Sequence, residues 1–181
     1  LVGGAAAMWP LTARAQQPER ARRVGILLAG GTEEPDYQAR VAASLKELQQ
    51  LGWSEGRNLR VEVRGGGSEA NIRKNITELI AFAPDVILTG GTTTMAQLLR
   101  TTRTVPIVFM TVVDPVGAGL VESLARPGGN TTGFMQFEYS LSGKWLELLK
   151  QIAPAVTRAA VLRDATTTPG IGQFAVIQSV A

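Results

Sequence analysis

The chain has 181 residues, of which 45% are hydrophobic and 18% charged, and its formal net charge is +3. It contains no cysteine and no histidine. These absences exclude a disulfide framework, a thiol nucleophile, a Ser-His-Asp triad and any metal site built on cysteine or histidine. Chemistry would have to rest on carboxylates, hydroxyls or lysine. We expect no catalytic residue, no cofactor and no metal.

The surplus of positive charge is small, with 18 Lys and Arg against 15 Asp and Glu. Arg20, Arg22 and Arg23 form the one cluster of basic residues. Proteins that bind nucleic acid concentrate Lys and Arg on one face or along one helix. The spread of charge along this chain therefore predicts no nucleic-acid partner.

The first fifteen residues have the pattern of the end of a secretory signal peptide. Residues 1–9 form an apolar run rich in alanine and glycine, and Ala13-Arg14-Ala15 matches a cleavage site. The run is much shorter than the ~20 residues that span a bilayer. We expect residues 1–15 to be a signal remnant cleaved near Ala15, so that the mature chain is periplasmic and not inserted in the membrane. The alternative is an apolar N-terminal helix packed on the core.

From residue 23 onward, apolar runs of strand length alternate with segments of helical periodicity. The predicted strands cover residues 23–29, 59–63, 85–89, 107–113 and 131–134. The helices between them carry apolar residues at helical spacing, namely Val41, Leu45, Leu48 and Leu51, then Ile72, Ile76, Leu79 and Ile80, then Met95, Leu98 and Leu99, then Leu120, Val121 and Leu124. Apolar strands joined by amphipathic helices predict a parallel sheet with helices on both faces, which is a doubly wound α/β fold.

The alternating pattern starts again after the fifth strand. A helix over residues 141–152, a sixth strand over residues 158–164 and a further helix from Ile171 are predicted. Because five strands complete a small sheet, we expect residues 16–135 to form one lobe. Residues 136–181 would then hold a crossover and the incomplete start of a second, similar lobe. The last predicted helix runs to Ala181 without a cap, so we expect the second lobe to continue beyond this sequence.

Open parallel sheets bind ligands beyond the carboxyl ends of their strands. Three segments are predicted at this edge: residues 30–36, which begin with Gly30, after the first strand, the turn at residues 90–94, which contains Gly91, Thr92 and Thr93, after the third strand, and Asp114-Pro115 after the fourth. The turn offers free N–H groups and hydroxyls at a helix start, which suits a carboxylate or another anion. The alternative role of Thr92 or Thr93 is to cap the helix.

Asp114 also has two predicted roles. It precedes Pro115, and Asp followed by Pro is a common helix start, so capping is a sufficient explanation. Alternatively, its carboxylate faces the cleft and meets an amino group of the ligand. Phe134 lies near the predicted cleft and is a candidate to cover an apolar part of the ligand. We interpret Asp85 and Asp164, which lie at strand ends, as turn or capping residues.

Residues 170–175 satisfy the pattern G-x-G-x-x-A of dinucleotide-binding sites. Such a site enters its glycines directly from a strand. Here a five-residue loop separates the predicted sixth strand from the first glycine. We therefore expect no dinucleotide site at these glycines.

Six segments, in order and correctly spaced, carry a resemblance to a known family. They are LGWSEGRN at residues 51–58, APDVI at 83–87, PIVF at 106–109, DPVGAGLV at 114–121, PGGNTTG at 127–133 and KWLELLK at 144–150. Together they are similar to the ABC transporter substrate-binding proteins of the tryptophan/tyrosine-binding type, which have the two-lobed periplasmic binding protein fold of type 1. The resemblance covers nearly everything from residue 23 to residue 181.

The resemblance implies a non-catalytic protein that captures a small-molecule solute between two lobes and delivers it to the membrane permease subunits of an ABC importer. Known members hold the carboxylate and the amino group of an aromatic amino acid in the cleft. Gly91, Thr92, Thr93 and Asp114 match the cleft segments of the family, although Thr93 stands where members often have proline. Two alternatives stay open: the effector-binding core of a regulator with the same fold, and an α/β enzyme that uses Asp114 with a threonine hydroxyl.

Overall fold

The structure is a computed structural model that describes residues 20–181, so the predicted signal remnant at residues 1–15 lies outside the described residues. Five strands form one sheet: β1 (Arg22–Leu28), β2 (Leu59–Arg64), β3 (Val86–Gly90), β4 (Ile107–Val112) and β5 (Thr131–Met135). All neighbouring strands are parallel, in the order β2-β1-β3-β4-β5. The predicted parallel α/β sheet is confirmed, and each of these five strands begins and ends within one residue of its prediction.

Five helices accompany the strands in the described part of the chain. They are α1 (Pro35–Gln50), α2 (Glu69–Ala81), α3 (Thr92–Thr101), α4 (Leu141–Ile152) and α5 (Thr168–Val180). Gly52 follows the end of α1 with a φ of +90°, and the N–H of Trp53 donates to Leu48 O (2.9 Å). This bond closes a helix that ends at a left-handed glycine. Ser68 caps α2 by accepting a hydrogen bond from the N–H of Asn71.

The core lies between the sheet and the helices α2 and α3. Its members are fully buried aliphatic side chains, namely Leu27, Ile72, Ile76, Leu79, Ile87, Leu98 and Ile107. Gly25 leaves room for Leu79, because a Cβ at Gly25 would lie 2.9 Å from Leu79 Cγ. Burying a side chain of this size is worth about 1.5 to 3 kcal/mol. This layer therefore holds α2 and α3 firmly against the sheet.

Helix α1 lies over the opposite face of the sheet. Side chains alternate between the two faces along a strand, so Leu28 points away from Leu27 and from the layer of α2 and α3. Leu28 and Val63 line a cavity of about 430 Å³ together with Val41 and Leu45 of α1. No residue of α1 is fully buried. The helix is therefore held less closely than α2 and α3.

The predicted sixth strand is not formed. Residues 158–164 are neither helix nor strand. A strand needs a neighbour that completes its ladder of hydrogen bonds, and the sheet ends at β2 and β5 without pairing to this segment. Leu162, in the middle of the apolar run, is fully exposed. The run has strand-like composition, but the described residues provide no partner for it.

The short helix predicted around Leu120, Val121 and Leu124 is also not formed. Residues 115–125 make turns and bends, with isolated hydrogen bonds such as the one from Leu120 N–H to Pro115 O (2.8 Å). Gly119 has a φ of +67°, which a right-handed helix does not accommodate. The left-handed glycine therefore interrupts a segment whose apolar spacing alone indicated a helix.

The two helices predicted after the crossover are confirmed as α4 and α5, which pack on each other. Several apolar side chains of α4 stay partly exposed, including Trp145 at 43%, Leu148 at 54% and Ile152 at 81%. The division of the chain into lobes at residue 135 stays a prediction. Within residues 20–181, no helix combines the length and the apolar character that crossing a bilayer requires.

Asp85 holds the first described residues to the amino end of the sheet. Its carboxylate accepts a hydrogen bond from the N–H of Arg23 (2.8 Å) and lies 3.6 Å and 3.7 Å from guanidinium nitrogens of Arg20 and Arg22. The bond from Arg23 N–H is the main cause that lowers the pKa of Asp85 below its usual 3.8. Partial burial opposes this decrease, and the nearby arginines add to it. The sequence predicted a turn or capping role for Asp85, whereas its carboxylate bonds to the backbone of the neighbouring strand β1.

We expect Asp85→Asn to lower the midpoint of thermal unfolding by about 2 to 4 °C at neutral pH. A carboxylate whose pKa is depressed in the folded protein stabilises the fold above its unfolded pKa, and this contribution is lost as the pH falls through the folded pKa. Melting curves followed by circular dichroism should show the difference at neutral pH and lose it well below 3.8. If the two melting temperatures differed by the same amount at neutral pH and at the low pH, the electrostatic explanation would be contradicted.

Candidate ligand-binding groove

The carboxyl ends of the strands bring the predicted loops to one edge of the sheet. In the parallel register, Leu28 pairs with Gly90, and Gly90 pairs with Met110. Val112 pairs with Met135 on the next strand. The segments that follow β1, β3 and β4 therefore begin side by side, at the edge where such sheets bind ligands.

The loops after β1, β2 and β3 touch at Ala29. A Cβ at Gly91 would lie 2.9 Å from Ala29 Cβ, and a Cβ at Gly66 would lie 2.1 Å from Ala29 O. Gly91 also has a φ of +100°, a conformation that residues with a side chain rarely adopt. Gly30 has no more room, since a Cβ there would lie 2.1 Å from the ring of Tyr37. The glycines at this edge allow three loops to approach one another closely.

A groove of about 410 Å³, which we call the α3 groove, starts at this edge and continues along α3. Five parts of the chain line it: the loop after β1, the loop after β2, the start of α2, one face of α3, and the segment that leads into α5. The lining residues are Ala29, Gly67, Glu69, Ile72, Thr93, Ala96, Gln97, Arg100, Asp164, Thr166, Thr167 and Thr168. Pockets for small molecules typically have volumes of ~300 to 1,000 Å³, so the groove has a suitable size.

The first turn of α3 borders this groove at Thr93, and the helix has no side-chain cap. Its N-cap is Gly91, and Thr93 lines the groove from the first turn. The hydroxyl of Thr92 accepts a hydrogen bond from Val113 N–H instead (3.1 Å). The expectation that Thr92 or Thr93 caps the helix is therefore wrong. The N–H groups of the first turn have no cap among the described side chains, and such a helix start is favourable for an anion.

Two further helices begin at the groove. Glu69, the first residue of α2, and Thr168, the first residue of α5, both line it. Ser68 and Thr167 cap these helices by accepting backbone N–H groups. Because each helix carries partial positive charge at its N-terminus, three helix starts around one groove favour a bound carboxylate.

Charged side chains of both signs also line the groove, namely Glu69, Arg100 and Asp164. The Oε1 of Glu69 accepts a hydrogen bond from Gln97 Nε2 (2.7 Å) and lies 3.1 Å from Arg73 Nη1. Acidic residues are the ligands that this chain can offer a metal, and residues 20–181 contain no group of three or more arranged to hold one. The mixture of signs is instead suited to a ligand that carries both charges.

Asp164 lies on the α5 side of the groove. Its Oδ1 accepts hydrogen bonds from the hydroxyl (2.6 Å) and the N–H (2.8 Å) of Thr166. These two bonds, the hydroxyl first, lower the pKa of Asp164 below its usual 3.8 and so keep the carboxylate negative at neutral pH. Asp164 is the turn residue that its position predicted, and it also contributes a negative charge to the groove.

Asp114 follows β4, and both of its carboxylate oxygens accept backbone hydrogen bonds. Oδ1 accepts from Gly117 N–H (2.7 Å), and Oδ2 accepts from Tyr139 N–H (3.0 Å). The N–H of Asp114 donates to Phe137 O (2.9 Å). The predicted capping role is confirmed, although the capped segment is a turn and not a helix. Contact between Asp114 and an amino group of the ligand stays a prediction.

The other predicted ligand-binding residues lie in different places relative to the α3 groove. Thr93 lines the α3 groove, and Gly30 and Gly91 shape the loops beside it. Thr92 is buried at 5% exposure and supports the edge through its backbone hydrogen bond. Phe134 lies on β5 with 79% of its surface exposed, and it is not among the lining residues of the groove. Direct ligand contact stays a prediction for all of them.

Several groove residues were not predicted from the sequence. Glu69 had a usable signal, because Ser68 before an amphipathic segment marks a helix start at the carboxyl end of the second strand. Gln97 and Arg100 follow Thr93 at intervals of four and three residues, so all three lie on one face of α3. The sequence periodicity shows that they share a face, but it does not show that this face borders a groove. The approach of Thr167 depends on how α5 packs, for which the sequence has no local signal.

The model of a known family, described as ABC transporter substrate binding protein, matches residues 29–176 of the chain. The chain belongs to this family. The resemblance found in the sequence motifs is thereby confirmed. The family is one of substrate-binding proteins.

One curated relative is similar in sequence, and two solved structures have the same fold as this chain. A tyrosine-binding protein of Clostridioides difficile (strain R20291) is 28% identical over 131 residues, which cover 72% of this chain and 37% of the relative. A conserved domain protein from Vibrio cholerae superposes with a TM-score of 0.76 at 29% identity, over 89% of this chain and 53% of that one. An ABC domain from Streptococcus pneumonia in complex with L-Trp superposes with a TM-score of 0.74 at 20% identity, over 88% of this chain and 53% of that one.

These comparisons also define how much of such a protein the chain represents. It spans about half the length of the solved structures and 37% of the curated relative. The likeness to the L-Trp complex, at 20% identity, concerns the fold. The substrate-binding family and the α/β lobe are thus established for this chain, whereas its ligand is a matter for proposal.

We expect Thr92→Val and Thr93→Val, one position apart, to differ in stability. Thr92→Val leaves the N–H of Val113 without its acceptor and should cost about 1 to 2 kcal/mol. Thr93→Val changes an exposed side chain and should cost less than about 0.5 kcal/mol. Urea unfolding of both variants measures the difference. Equal destabilisation by the two substitutions would refute the assigned role of the Thr92 hydroxyl.

Proposed function

We propose that this chain forms the solute-binding part of an ABC importer and that its α3 groove holds an α-amino acid, with an aromatic side chain as the preferred class. The observation that carries the proposal is the first turn of α3, which borders the groove at Thr93 and has no side-chain cap. A carboxylate accepts hydrogen bonds from such N–H groups and is stabilised by the helix dipole.

The negative side chains of the groove account for the second charge of the ligand. Asp164 and Glu69 both line the groove, and each keeps acceptor capacity beyond the hydrogen bonds described above, because a carboxylate has about four lone-pair sites. The ammonium group of an amino acid can therefore be neutralised within the groove that holds its carboxylate. Ala29 and Ala96 add apolar surface for a side chain.

The relatives support the choice of an amino acid. The related Clostridioides difficile protein is a tyrosine-binding protein, and the Streptococcus pneumonia domain is in complex with L-Trp. Family membership supports the importer, with the permease membrane subunits as partners. Export to the periplasm rests on the pattern of residues 1–15 and on the family. The proposal includes no nucleic-acid partner and no cofactor.

We expect the full-length protein to be stabilised by free amino acids. A ligand at a hundred times its Kd raises the free energy of unfolding by about 2.7 kcal/mol, which thermal melting detects. The panel contains L-tyrosine, L-tryptophan and other amino acids, together with the matching amines that lack a carboxylate. Amino acids should raise the melting temperature and the amines should not. If tyramine stabilises as well as tyrosine, or if no amino acid stabilises, the proposal is wrong.

We expect Thr93→Val to weaken the binding of the best amino acid about three- to tenfold, because one hydroxyl of the groove is lost. Thr104→Val is the matched control, since Thr104 is equally exposed but lies outside the lining residues. Isothermal titration calorimetry of both variants measures the two affinities. An unchanged affinity of Thr93→Val would show that the ligand does not lie against α3.

A further inference from the structure

The carboxylate of Asp114 connects the sheet to the crossover that leads away from it. Its Oδ2 accepts the N–H of Tyr139 (3.0 Å), and its own N–H donates to Phe137 O (2.9 Å). Its Oδ1 accepts the N–H of Gly117, whose turn follows β4. Hydrogen bonds to a charged group are worth about 1.5 to 3 kcal/mol, so this side chain holds the crossover residues 137–139 against the end of β4.

The ring of Tyr139 in turn supports α5. Tyr139 is 9% exposed, and a Cβ at Gly172 of α5 would lie 2.4 Å from its Cε2. The backbone of α5 therefore rests directly on the ring. The first glycine of the same motif is equally constrained, because a Cβ at Gly170 would lie 1.9 Å from Asp164 O. The pattern G-x-G-x-x-A thus serves close packing of α5.

Burial raises the pKa of Tyr139 above its usual 10.0, and the charge of Asp114 adds to the increase. The hydroxyl therefore stays neutral at physiological pH, and it is buried without a hydrogen-bond partner among the described residues. The contribution of Tyr139 in this place comes from the ring and from the backbone N–H, not from the hydroxyl.

The position of α5 determines one wall of the α3 groove. Thr167 and Thr168, at the start of α5, line the groove together with Thr93 on α3. None of Asp114, Tyr139 and Gly172 is a lining residue. The contact between Tyr139 and Gly172 is therefore outside the groove, although it supports the helix that forms one wall of it.

We propose that Asp114 and Tyr139 are positioning residues: they set the width of the α3 groove by fixing α5 through Gly172, without touching the ligand. The inference rests on the proposed function, because it concerns capture of a solute in that same groove. It also gives Asp114 a role that differs from direct contact with an amino group. The two roles predict different results for an Asp114 variant. A positioning role predicts weaker binding of every ligand, whereas direct contact predicts weaker binding only of ligands with an amino group.

The first test measures the position of α5 without any ligand. The chain has no cysteine, so spin labels can be attached at Lys46→Cys on α1 and Gln178→Cys on α5, two exposed positions. Gly172→Ala places a methyl group against the Tyr139 ring and should lengthen or broaden the distance between the labels in the full-length protein. Adding Tyr139→Leu, which makes room for the methyl group, should restore the distance.

Gly143→Ala is the matched control for this substitution. Gly143 is also a helical glycine, on α4, but a Cβ there would lie at an ordinary 3.5 Å from Val176 and Val180. The control should leave the label distance unchanged. If Gly172→Ala also leaves it unchanged, or if Tyr139→Leu fails to restore it, the positioning role of the ring is refuted. Because no ligand is present, this outcome does not depend on whether the amino-acid proposal is correct.

The second test uses Asp114→Asn. This variant still tests the proposal if Gly172→Ala does not fold, because its label distance and binding affinity are measured independently. Loss of the charge should shift the label distance and weaken binding by about tenfold. The loss should be equal for the best amino acid and for its deaminated analogue, because the groove itself is altered. A loss restricted to ligands with an amino group, at an unchanged label distance, would overturn the proposal and assign Asp114 to ligand contact.

Discussion

The α3 groove depends on the parallel pairing of β1 with β3 at the centre of the sheet. This pairing sets Leu28 beside Gly90, so the chain leaves both strands at the same edge and Ala29 meets Gly91. An antiparallel neighbour would send one of the two loops to the opposite edge. The buried layer that includes Leu27 and Ile87 stabilises this pairing from beneath. The sheet therefore places the start of α3, where we propose that a carboxylate binds.

Some polar side chains at this edge are hydrogen-bonded within the protein, and others are free to contact a ligand. Thr92 and Thr93 are neighbours in sequence, but successive residues of a helix point about 100° apart. The Thr92 hydroxyl is therefore turned inward to Val113 N–H, while Thr93 lies in the groove. Asp114 belongs to the first group, since its carboxylate is bonded to backbone on two sides. A polar residue after a strand can thus be fully used by the fold, as the hydrogen bonds of Thr92 and Asp114 are.

Two glycines in distant parts of the structure lie where a side chain would collide with a neighbouring group. Gly91 lets the loops after β1 and β3 touch, and Gly172 lets α5 rest on the ring of Tyr139. In the sequence, the second glycine belonged to a pattern that is typical of dinucleotide sites. The structure assigns it to helix packing, because a side chain of any size at this position would collide with the ring. A glycine pattern thus indicates that the backbone comes close to another group. Whether that group is a ligand or a side chain of the protein depends on the tertiary structure.

Local pattern by itself predicted the five paired strands, the five helices and their order, because apolar periodicity and helix-ending residues are properties of short segments. It thereby also indicated the edge at which such sheets bind ligands. The same patterns wrongly predicted a helix around Leu120 and a sixth strand. It also indicated the family through six ordered motifs. Only the tertiary structure decided that residues 158–164 lack a strand partner, that Thr92 is occupied and Thr93 exposed, and that α5 brings Asp164 and Thr167 to α3. These features depend on contacts between residues that are far apart in the chain, and no local pattern encodes which distant side chain or strand will be present.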